Sequence, residues 1–320
     1  MRFVVYGAGA VGGAIGARLF QRGHDVTLIA RGAHYEAIRD RGLRLDTPEE
    51  SVTLPIPVVD RPSAVTFRPG DVVLLTMKTQ DTLAALAELS ALAPPDVIVA
   101  SAQNGVENER LALRLFRRVY GICVLLPSAF LEPGVVEAYL APQTGGLDVG
   151  RYPDGVDDTA EALAEAFTDA TFVSVARPDV MRYKYGKLLT NLGNAVEVVI
   201  GPGEQGAEII RLARDEGTAC LRASGIDAPS GVGMASQIRP IRGRLRTGGS
   251  SHQSLSRGTG TIEADYLNGE IVLLGREHGV PTPVNELLRR LANRMAREGL
   301  PPGLMTPEEF LTALDGSAPG

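Results

Sequence analysis

The chain has 320 residues, of which 44% are hydrophobic and 22% charged, with a formal net charge of −6. These values are ordinary for a globular protein, and the length predicts two domains. The negative charge argues against a nucleic-acid binder, which carries a clustered basic surface. Two cysteines and four histidines lack metal-ligand spacing, so we expect neither a disulfide framework nor a metal site.

The N-terminal residues enter a strand at once and show no signal-peptide pattern. No apolar run in the sequence approaches the length of a membrane span. We therefore expect a cytoplasmic protein without a membrane segment.

The first half of the sequence alternates strand-length apolar runs with helical stretches. Strands are predicted over 2–6, 25–30, 72–77, 97–101, 121–126, 146–150 and 171–175. Helices are predicted over 11–22, with Gly23 as its C-cap, and over 157–167. Strand, helix and strand at the first spacing make a βαβ unit, whose two strands are parallel.

From residue 177 onward the helical period prevails. Helices are predicted over 179–199, 205–224, 259–278, 283–298 and 307–314. We therefore predict a domain of residues 1–176 and an all-helical domain of residues 177–320. We interpret the Gly-, Ser- and Arg-rich stretch 243–260 as a connection inside the second domain.

A glycine motif follows the first strand and precedes the first helix. It reads Gly7-Ala8-Gly9-Ala10-Val11-Gly12 and matches GxGxxG. The first glycine allows the tight turn, the second lets the backbone approach a pyrophosphate, and the third lets helix pack on strand. Free N–H groups at the helix start favour the phosphates. This context predicts a Rossmann-type doubly wound sheet that binds a dinucleotide.

The residues after the second strand indicate which dinucleotide binds. An NAD enzyme places Asp or Glu there, whereas this chain has Ala30 and Arg31. A guanidinium binds a 2′-phosphate through forked, charge-assisted hydrogen bonds, so we interpret Arg31 as an NADP(H) ligand. Lys78 follows the strand predicted to end at Met77. It is either a second phosphate ligand or a solvated surface charge, and the sequence leaves both interpretations open.

Two further segments carry polar residues that could face the cofactor. Asn104 follows a predicted strand at the edge where ligands bind, although Asn-Gly is also a common turn pair. On the helix from 179, Lys184, Lys187, Asn191 and Asn194 form one stripe. A partly desolvated lysine there can serve in proton transfer, but the spacing does not separate Lys187 from Lys184.

Glu263 is predicted near the start of the helix 259–278, on a face with Tyr266, Leu267 and Glu270. A carboxylate on a mostly apolar face needs a partner, and a site lysine is one candidate. The alternative is a glutamate that the helix dipole favours at that position.

Together these segments resemble the ketopantoate reductase (2-dehydropantoate 2-reductase) family over nearly the whole chain. The matching segments are 7–12, Arg31, Lys78, Asn104-Gly105, 187–191 and 263–269. The resemblance implies NADPH-dependent reduction of a small 2-oxo acid, 2-dehydropantoate first among the candidates. It implies that Lys187 is the general acid, that Glu263 contacts the lysine or ligand, and that Asn104, Asn191 and Ser251 contact substrate, Asn104 lying beside the nicotinamide as well.

The chain departs from the family pattern at substrate-side positions. Ala195 and Gln205 stand where the family carries asparagines, and the segment 250–255 lacks its usual aspartate. Ser254 is therefore an alternative to Ser251, and a different substrate is open because buried polar groups discriminate strongly.

Three functions stay open from the sequence. They are the 2-oxo acid reductase, another NADP dehydrogenase on the same fold, and a non-catalytic NADP(H) sensor, because a fold does not prove catalysis. A homodimer is expected from the helical second domain.

Overall fold

A computed structural model describes residues 1–234, 237–246, 248–256, 258 and 260–316. The chain falls into two compact units, the first made of Met1–Lys184 and Gly233–Arg246, the second of Tyr185–Val232 and Thr247–Gly320. The first unit thus includes residues beyond 176, among them Gly233–Arg246. The domain boundary at that residue stays a prediction.

The first unit contains the strands, and helices occur in both units. The strands are β1 (Arg2–Tyr6), β2 (Asp25–Ile29), β3 (Leu43–Asp46), β4 (Ser51–Leu54), β5 (Val58–Val59), β6 (Val72–Leu75), β7 (Ile98–Ser101), β8 (Arg118–Leu125), β9 (Ser128–Ala129), β10 (Val135–Ala138), β11 (Gly145–Arg151) and β12 (Phe172–Val173). The helices are α1 (Ala10–Gln21), α2 (Gly32–Arg41), α3 (Thr79–Leu92), α4 (Asn108–Leu113), α5 (Asp158–Asp169), α6 (Val180–Asn191), α7 (Gly193–Val199), α8 (Ala207–Ala223), α9 (Ser250–Ser256), α10 (Asn268–His278), α11 (Pro283–Glu298) and α12 (Pro307–Asp315).

The larger sheet has the strand order β12-β11-β8-β7-β6-β1-β2-β5. From β5 to β8 every neighbouring pair is parallel, which is the Rossmann order 3-2-1-4-5-6. The predicted parallel sheet is confirmed for these strands. Strand β11 is antiparallel to β8, because short strands rather than a crossover helix connect the two, and only parallel pairs require a crossover.

Helices cover both faces of this sheet, as a doubly wound fold requires. Side chains alternate along β1, so that Phe3 and Val5 join a core with α1 and α5, whereas Val4 and Tyr6 join a core with α3 and α4. Helix α1 ends at Gln21, one residue before the predicted end, with Arg22 as its C-cap. The predicted C-cap, Gly23, is the next residue, takes φ +80° and donates to the Phe20 carbonyl. The strand order reverses between β1 and β6, and ligands of open α/β sheets bind at such a switch point.

The smaller sheet, β4-β3-β10-β9, was not predicted. Its strands have two to four residues, too few for the alternation of polar and apolar residues to stand out.

The second unit is helical, as predicted. Helix α11 begins at Pro283 and ends before Gly299, which takes φ +64°, and proline at the start with glycine at the end is the usual asymmetry of helices. Helix α8 buries a stripe that includes Ile209, Ala213 and Gly217, spaced to face a core.

Two helix predictions need correction. The helix predicted over 259–278 begins at Asn268, and Thr259 lies outside the described residues. The buried Asn268 amide donates to Asn285 Oδ1 at 3.0 Å and to the Leu192 carbonyl at 3.3 Å. These tertiary bonds outweigh the helical period of the preceding residues.

The helix predicted over 179–199 is divided at Leu192 into α6 and α7, next to Gly193, a weak helix former. Helix α9 lies inside the stretch predicted as a connection. The Gly249 N–H, directly before it, donates to the Glu197 carboxylate, which satisfies a donor that a helix start leaves open.

Along the described part of the chain, none of the helices combines the length and the apolar character that crossing a bilayer requires.

Candidate active site

The glycine segment forms a turn held from both sides. The N–H groups of Gly7 and Ala8 donate to the Ile29 carbonyl at the end of β2, at 3.2 and 3.0 Å. The Thr76 hydroxyl, directly after β6, donates to the Gly7 carbonyl at 2.7 Å. The turn therefore lies at the carboxyl ends of β2, β1 and β6, at the switch point of the sheet.

Helix α1 begins at Ala10, within this glycine segment. Its first backbone hydrogen bond joins Gly13 N–H to the Gly9 carbonyl at 2.7 Å. The N–H groups of Ala10, Val11 and Gly12 therefore have no acceptor within the helix. With the positive end of the helix dipole, such groups favour a phosphate. The turn and helix start fit a pyrophosphate.

The three glycines of the motif differ in what an added Cβ would meet. At Gly7, where φ is +108°, it would lie 2.9 Å from Met77 N, and at Gly12 it would lie 2.3 Å from Thr76 Oγ1. At Gly9 it would meet nothing within 4 Å, and the backbone there has an ordinary φ of −71°. Packing explains Gly7 and Gly12, whereas the space above Gly9 is open to a ligand.

Two cationic residues lie on either side of the glycine turn. Arg31 follows β2, which pairs with β1 on one side, and Lys78 follows β6, which pairs with it on the other. Arg31 is exposed and lies beside the Tyr6 hydroxyl. Burial and the Glu88 carboxylate, which accepts from that hydroxyl at 3.0 Å, raise the pKa of Tyr6 to about 12. The tyrosine therefore stays neutral at physiological pH.

Asn104 lies three residues after β7, the neighbour of β6. Gly105 takes φ +78°, so the Asn-Gly pair does form a turn. Asn104 is half-buried, and its backbone carbonyl accepts from Asn108 Nδ2 at 3.1 Å. The turn fixes the Asn104 backbone and is compatible with a ligand on its side chain.

Lys184 and Lys187, one turn apart on α6, differ in environment. Lys184 is 3% exposed, and its Nζ donates to the Gln103 carbonyl at 3.0 Å and to the Glu109 carboxylate. Lys187 is half-buried. The structure thus assigns Lys184 to an internal ion pair, a distinction that helix spacing could not make.

Asn191 is buried, and among the described residues its Nδ2 has no hydrogen-bond partner. A buried donor without a partner costs about 1–3 kcal/mol, so a ligand contact is a physical reason for keeping it. Asn194 lies beyond the break at Leu192, and its Nδ2 donates to Ser250 Oγ at 3.4 Å. The two asparagines therefore do not belong to one continuous helical stripe.

Ser251 and Ser254 are both buried on α9. The Ser254 hydroxyl donates to the Ser250 carbonyl one turn back at 2.9 Å, a common bond for a serine inside a helix. Among the departures from the family pattern, Ala195 is buried, whereas Gln205 is exposed and donates to the Ile200 carbonyl at 3.0 Å.

Glu263 is buried but precedes α10 instead of lying on a helix. Its carbonyl accepts from the N–H groups of Tyr266 and Leu267, each at 3.0 Å. The prediction that Glu263 lies on a helix face is therefore wrong. Any role of its carboxylate depends on the position that this turn gives it.

Sequence reasoning missed His34, which is buried on α2 against the glycine turn. Its Nδ1 accepts from Gly134 N–H at 2.9 Å, so the proton is on Nε2, which donates to the Ala8 carbonyl at 2.6 Å. Burial lowers the pKa of His34. A lone histidine in a helix carries no sequence signal for such a contact. Within the described residues, no group of three or more His, Cys, Asp or Glu side chains could hold a metal ion.

Comparison with known proteins gives matches along most of the chain. The family described as Ketopantoate reductase PanE/ApbA matches residues 3–153, and its C-terminal family matches residues 179–296. A 2-dehydropantoate 2-reductase of Pyrococcus horikoshii is 31% identical over 94% of this chain and 98% of that protein. One of Archaeoglobus fulgidus is 29% identical over 91% of this chain and 96% of that protein.

Solved structures show the same fold. A PanE/ApbA family ketopantoate reductase from Ralstonia eutropha JMP134 has a TM-score of 0.79 and 30% identity, covering 93% of this chain and 99% of that chain. D-mandelate dehydrogenase with NADH and anilino(oxo)acetate has a TM-score of 0.81 at 22% identity, with the same coverages. With both family segments matched in order, this chain belongs to the ketopantoate reductase family.

Proposed function

We propose that this chain is an NADPH-dependent reductase that transfers a hydride to the carbonyl of a small 2-oxo acid, converting 2-dehydropantoate to pantoate. Membership of the family and relatives named 2-dehydropantoate 2-reductase support the proposal. The observation that carries it comes from the glycine turn. Packing does not require a glycine at position 9, and the space that a side chain would fill there is open. A dinucleotide pyrophosphate accounts for that space.

Gly7–Gly12 would hold the pyrophosphate and Arg31 the 2′-phosphate. The carboxyl end of β2, where NAD enzymes carry an acidic residue, leads into Ala30 and Arg31. Lys78, on the opposite side of the turn, adds a second positive charge. Because an arginine fork pairs with phosphate oxygens and nothing in NADH replaces that phosphate, this arrangement favours NADP(H).

The bound nicotinamide supplies the hydride that reduces the substrate carbonyl. We assign the proton to Lys187, whose ammonium stabilises the negative charge developing on the carbonyl oxygen and then donates to it. Glu263 would contact the lysine or the ligand. Asn104, beside the nicotinamide, Asn191, with its unpartnered Nδ2, and Ser251 would bind substrate. Ser254 is the alternative to Ser251.

A second candidate is the reduction of a different 2-oxo acid by the same chemistry. Ala195 offers no polar group, and Gln205 is bonded to its own loop, so two amide contacts of the family pattern are lacking at these positions. Loss of hydrogen-bonding partners changes substrate choice more than it changes the reaction type.

We also propose a cytoplasmic homodimer. Both cysteines, Cys123 and Cys220, are buried free thiols, which fits a reducing compartment. The helical second unit is the expected place of pairing.

The test is a screen of 2-oxo acids, including 2-dehydropantoate, that follows NADPH absorbance. We expect Lys187→Ala to lower kcat about 10²–10⁴-fold, the range for a lost general acid, with the NADPH Kd unchanged. Arg182→Ala, which removes an exposed cation from the same helix, is the matched control.

Undiminished turnover by Lys187→Ala would overturn the assigned role. Turnover of another 2-oxo acid with 2-dehydropantoate inert would select the second candidate. NADPH binding without turnover of any 2-oxo acid would instead support a non-catalytic NADP(H) sensor.

A further inference from the structure

Lysine is confined to a few positions in this chain. The lysines are Lys78, Lys184 and Lys187, and every other basic side chain among the 32 is arginine. An ammonium is a compact point charge with three donors, whereas a guanidinium is a broad planar fork. A buried site that holds a lysine in an arginine-rich chain therefore calls for the small cation.

The Lys184 ammonium occupies such a site in the first unit. Its two acceptors are the Gln103 carbonyl, at 3.0 Å, and the Glu109 carboxylate, and Glu109 is fully buried. The ammonium thus joins α6 and α4 to the backbone carbonyl directly before Asn104. Burying two charges is costly, so the pair is not explained by stability alone.

Gln103 extends this contact to the neighbouring strand end. Its Nε2 donates to the Met77 carbonyl at 2.9 Å and to Thr82 Oγ1 at 2.8 Å, while its Oε1 accepts from Ser101 Oγ at 3.1 Å. The Met77 carbonyl directly precedes Lys78. One buried side chain therefore ties together the turns after β6 and β7.

Asn108 closes the network on the other side of Asn104. Its Oδ1 accepts from Thr82 at 2.8 Å, and its Nδ2 donates to Thr79 Oγ1 at 3.2 Å and to the Asn104 carbonyl at 3.1 Å. The carbonyls of residues 77, 103 and 104 thus each accept from a buried side chain. Networks of this kind rigidify the backbone that they hold.

We propose that Lys184, held by Glu109, is a positioning residue: through the Gln103 carbonyl it fixes the backbone of Asn104 at the place where the nicotinamide and substrate bind. This inference rests on the function proposed above. Small displacements of a contact residue can cost large factors in rate, of order 10²-fold for about 1 Å. The bond from Lys184 to the Gln103 carbonyl therefore affects catalysis although Lys184 touches neither substrate nor cofactor.

Two variants separate positioning from stability. In Lys184→Met/Glu109→Leu both charges are replaced by apolar groups, a change that often leaves stability unaltered, but the Gln103 carbonyl loses its donor. In Glu109→Gln the Lys184–Gln103 bond is kept, but a buried cation loses its counter-ion, which lowers stability. A merely structural role predicts that kcat follows thermal stability, whereas positioning predicts the opposite ranking.

We expect the double variant, in which only the Gln103 carbonyl is left without a donor, to unfold below the wild type but above Glu109→Gln. It should nevertheless lose kcat about tenfold or more, with a smaller change in the NADPH Kd. Glu109→Gln should unfold at a lower temperature and keep kcat. Amide hydrogen exchange at residues 104–106, which needs no substrate, should speed up in the double variant and stay slow in Glu109→Gln. Wild-type kcat or wild-type exchange in the double variant would overturn the inference.

An inactive wild-type enzyme would instead count against the proposed function, and the exchange measurement would still decide whether Lys184 fixes the turn.

Discussion

At Gly9 the requirements of packing and of ligand binding can be tested separately. Alanine at this position fits the backbone and meets no atom within 4 Å, but its methyl group occupies the space through which a pyrophosphate approaches the N–H groups of α1. We expect Gly9→Ala to keep the wild-type unfolding midpoint and to weaken NADPH binding about tenfold or more, a free-energy change of about 1.4 kcal/mol. Calorimetry of binding, together with thermal unfolding, measures both effects.

Two other glycines serve as comparisons. Gly233 is equally open and has no positive φ, so Gly233→Ala should change neither property. Gly12→Ala places Cβ 2.3 Å from Thr76 Oγ1 and 2.4 Å from the Gly7 carbonyl, and should destabilise the fold by about 1–3 kcal/mol, as overpacking does. If Gly9→Ala bound NADPH as tightly as the wild type, the pyrophosphate would have to lie elsewhere.

At the scale of elements, His34 joins α2 to the glycine turn and to Gly134 before β10. Burial lowers its pKa below 6.5. Below about pH 6.5 this histidine is therefore protonated in the unfolded chain while it is still neutral in the folded chain. Stability is therefore present at neutral pH and lost as the pH falls towards the folded-state pKa. Protonation of Nδ1 also removes the acceptor of the Gly134 N–H.

Denaturant unfolding between pH 7.5 and 5.5 should show the free energy of unfolding decreasing towards acid. His34→Gln should be less stable at neutral pH and show a smaller decrease. His24, whose pKa burial also lowers, contributes with the same sign, so His24→Gln supplies the reference slope. An unaltered slope in His34→Gln would show that His34 does not titrate in this range.

Elements with strong local signals were predictable from the sequence, and those set by tertiary contacts were not. The βαβ unit with its glycine motif, and α11 with Pro283 and Gly299, carry their boundaries in residues that act locally. The start of α10 depends on Asn268 bonding to Asn285, which is distant in the sequence. The same holds for the site: a strand end locates Asn104, but only packing shows that Lys184 is buried against Glu109.

For the whole molecule, cofactor choice can be measured as linkage between binding and unfolding. A ligand that binds only the folded chain stabilises it by RT ln(1 + [L]/Kd), about 2.7 kcal/mol at 100 times Kd. Because Arg31 would meet the 2′-phosphate that only NADPH carries, Arg31→Ala should lose most of the NADPH-induced rise in Tm and keep whatever rise NADH gives. Thermal unfolding with each dinucleotide at matched concentration measures both.

Arg41 is the control for charge, since it is the exposed last residue of α2, the helix whose N-cap is Arg31. Arg41→Ala removes the same positive charge at a distance of about 15 Å along the helix, where screening at physiological salt is substantial. It should therefore leave the NADPH effect intact. Equal losses in Arg31→Ala and Arg41→Ala would mean that net charge rather than a phosphate contact governs the preference. Equal losses for NADPH and NADH in Arg31→Ala would place the guanidinium on a part that both dinucleotides share.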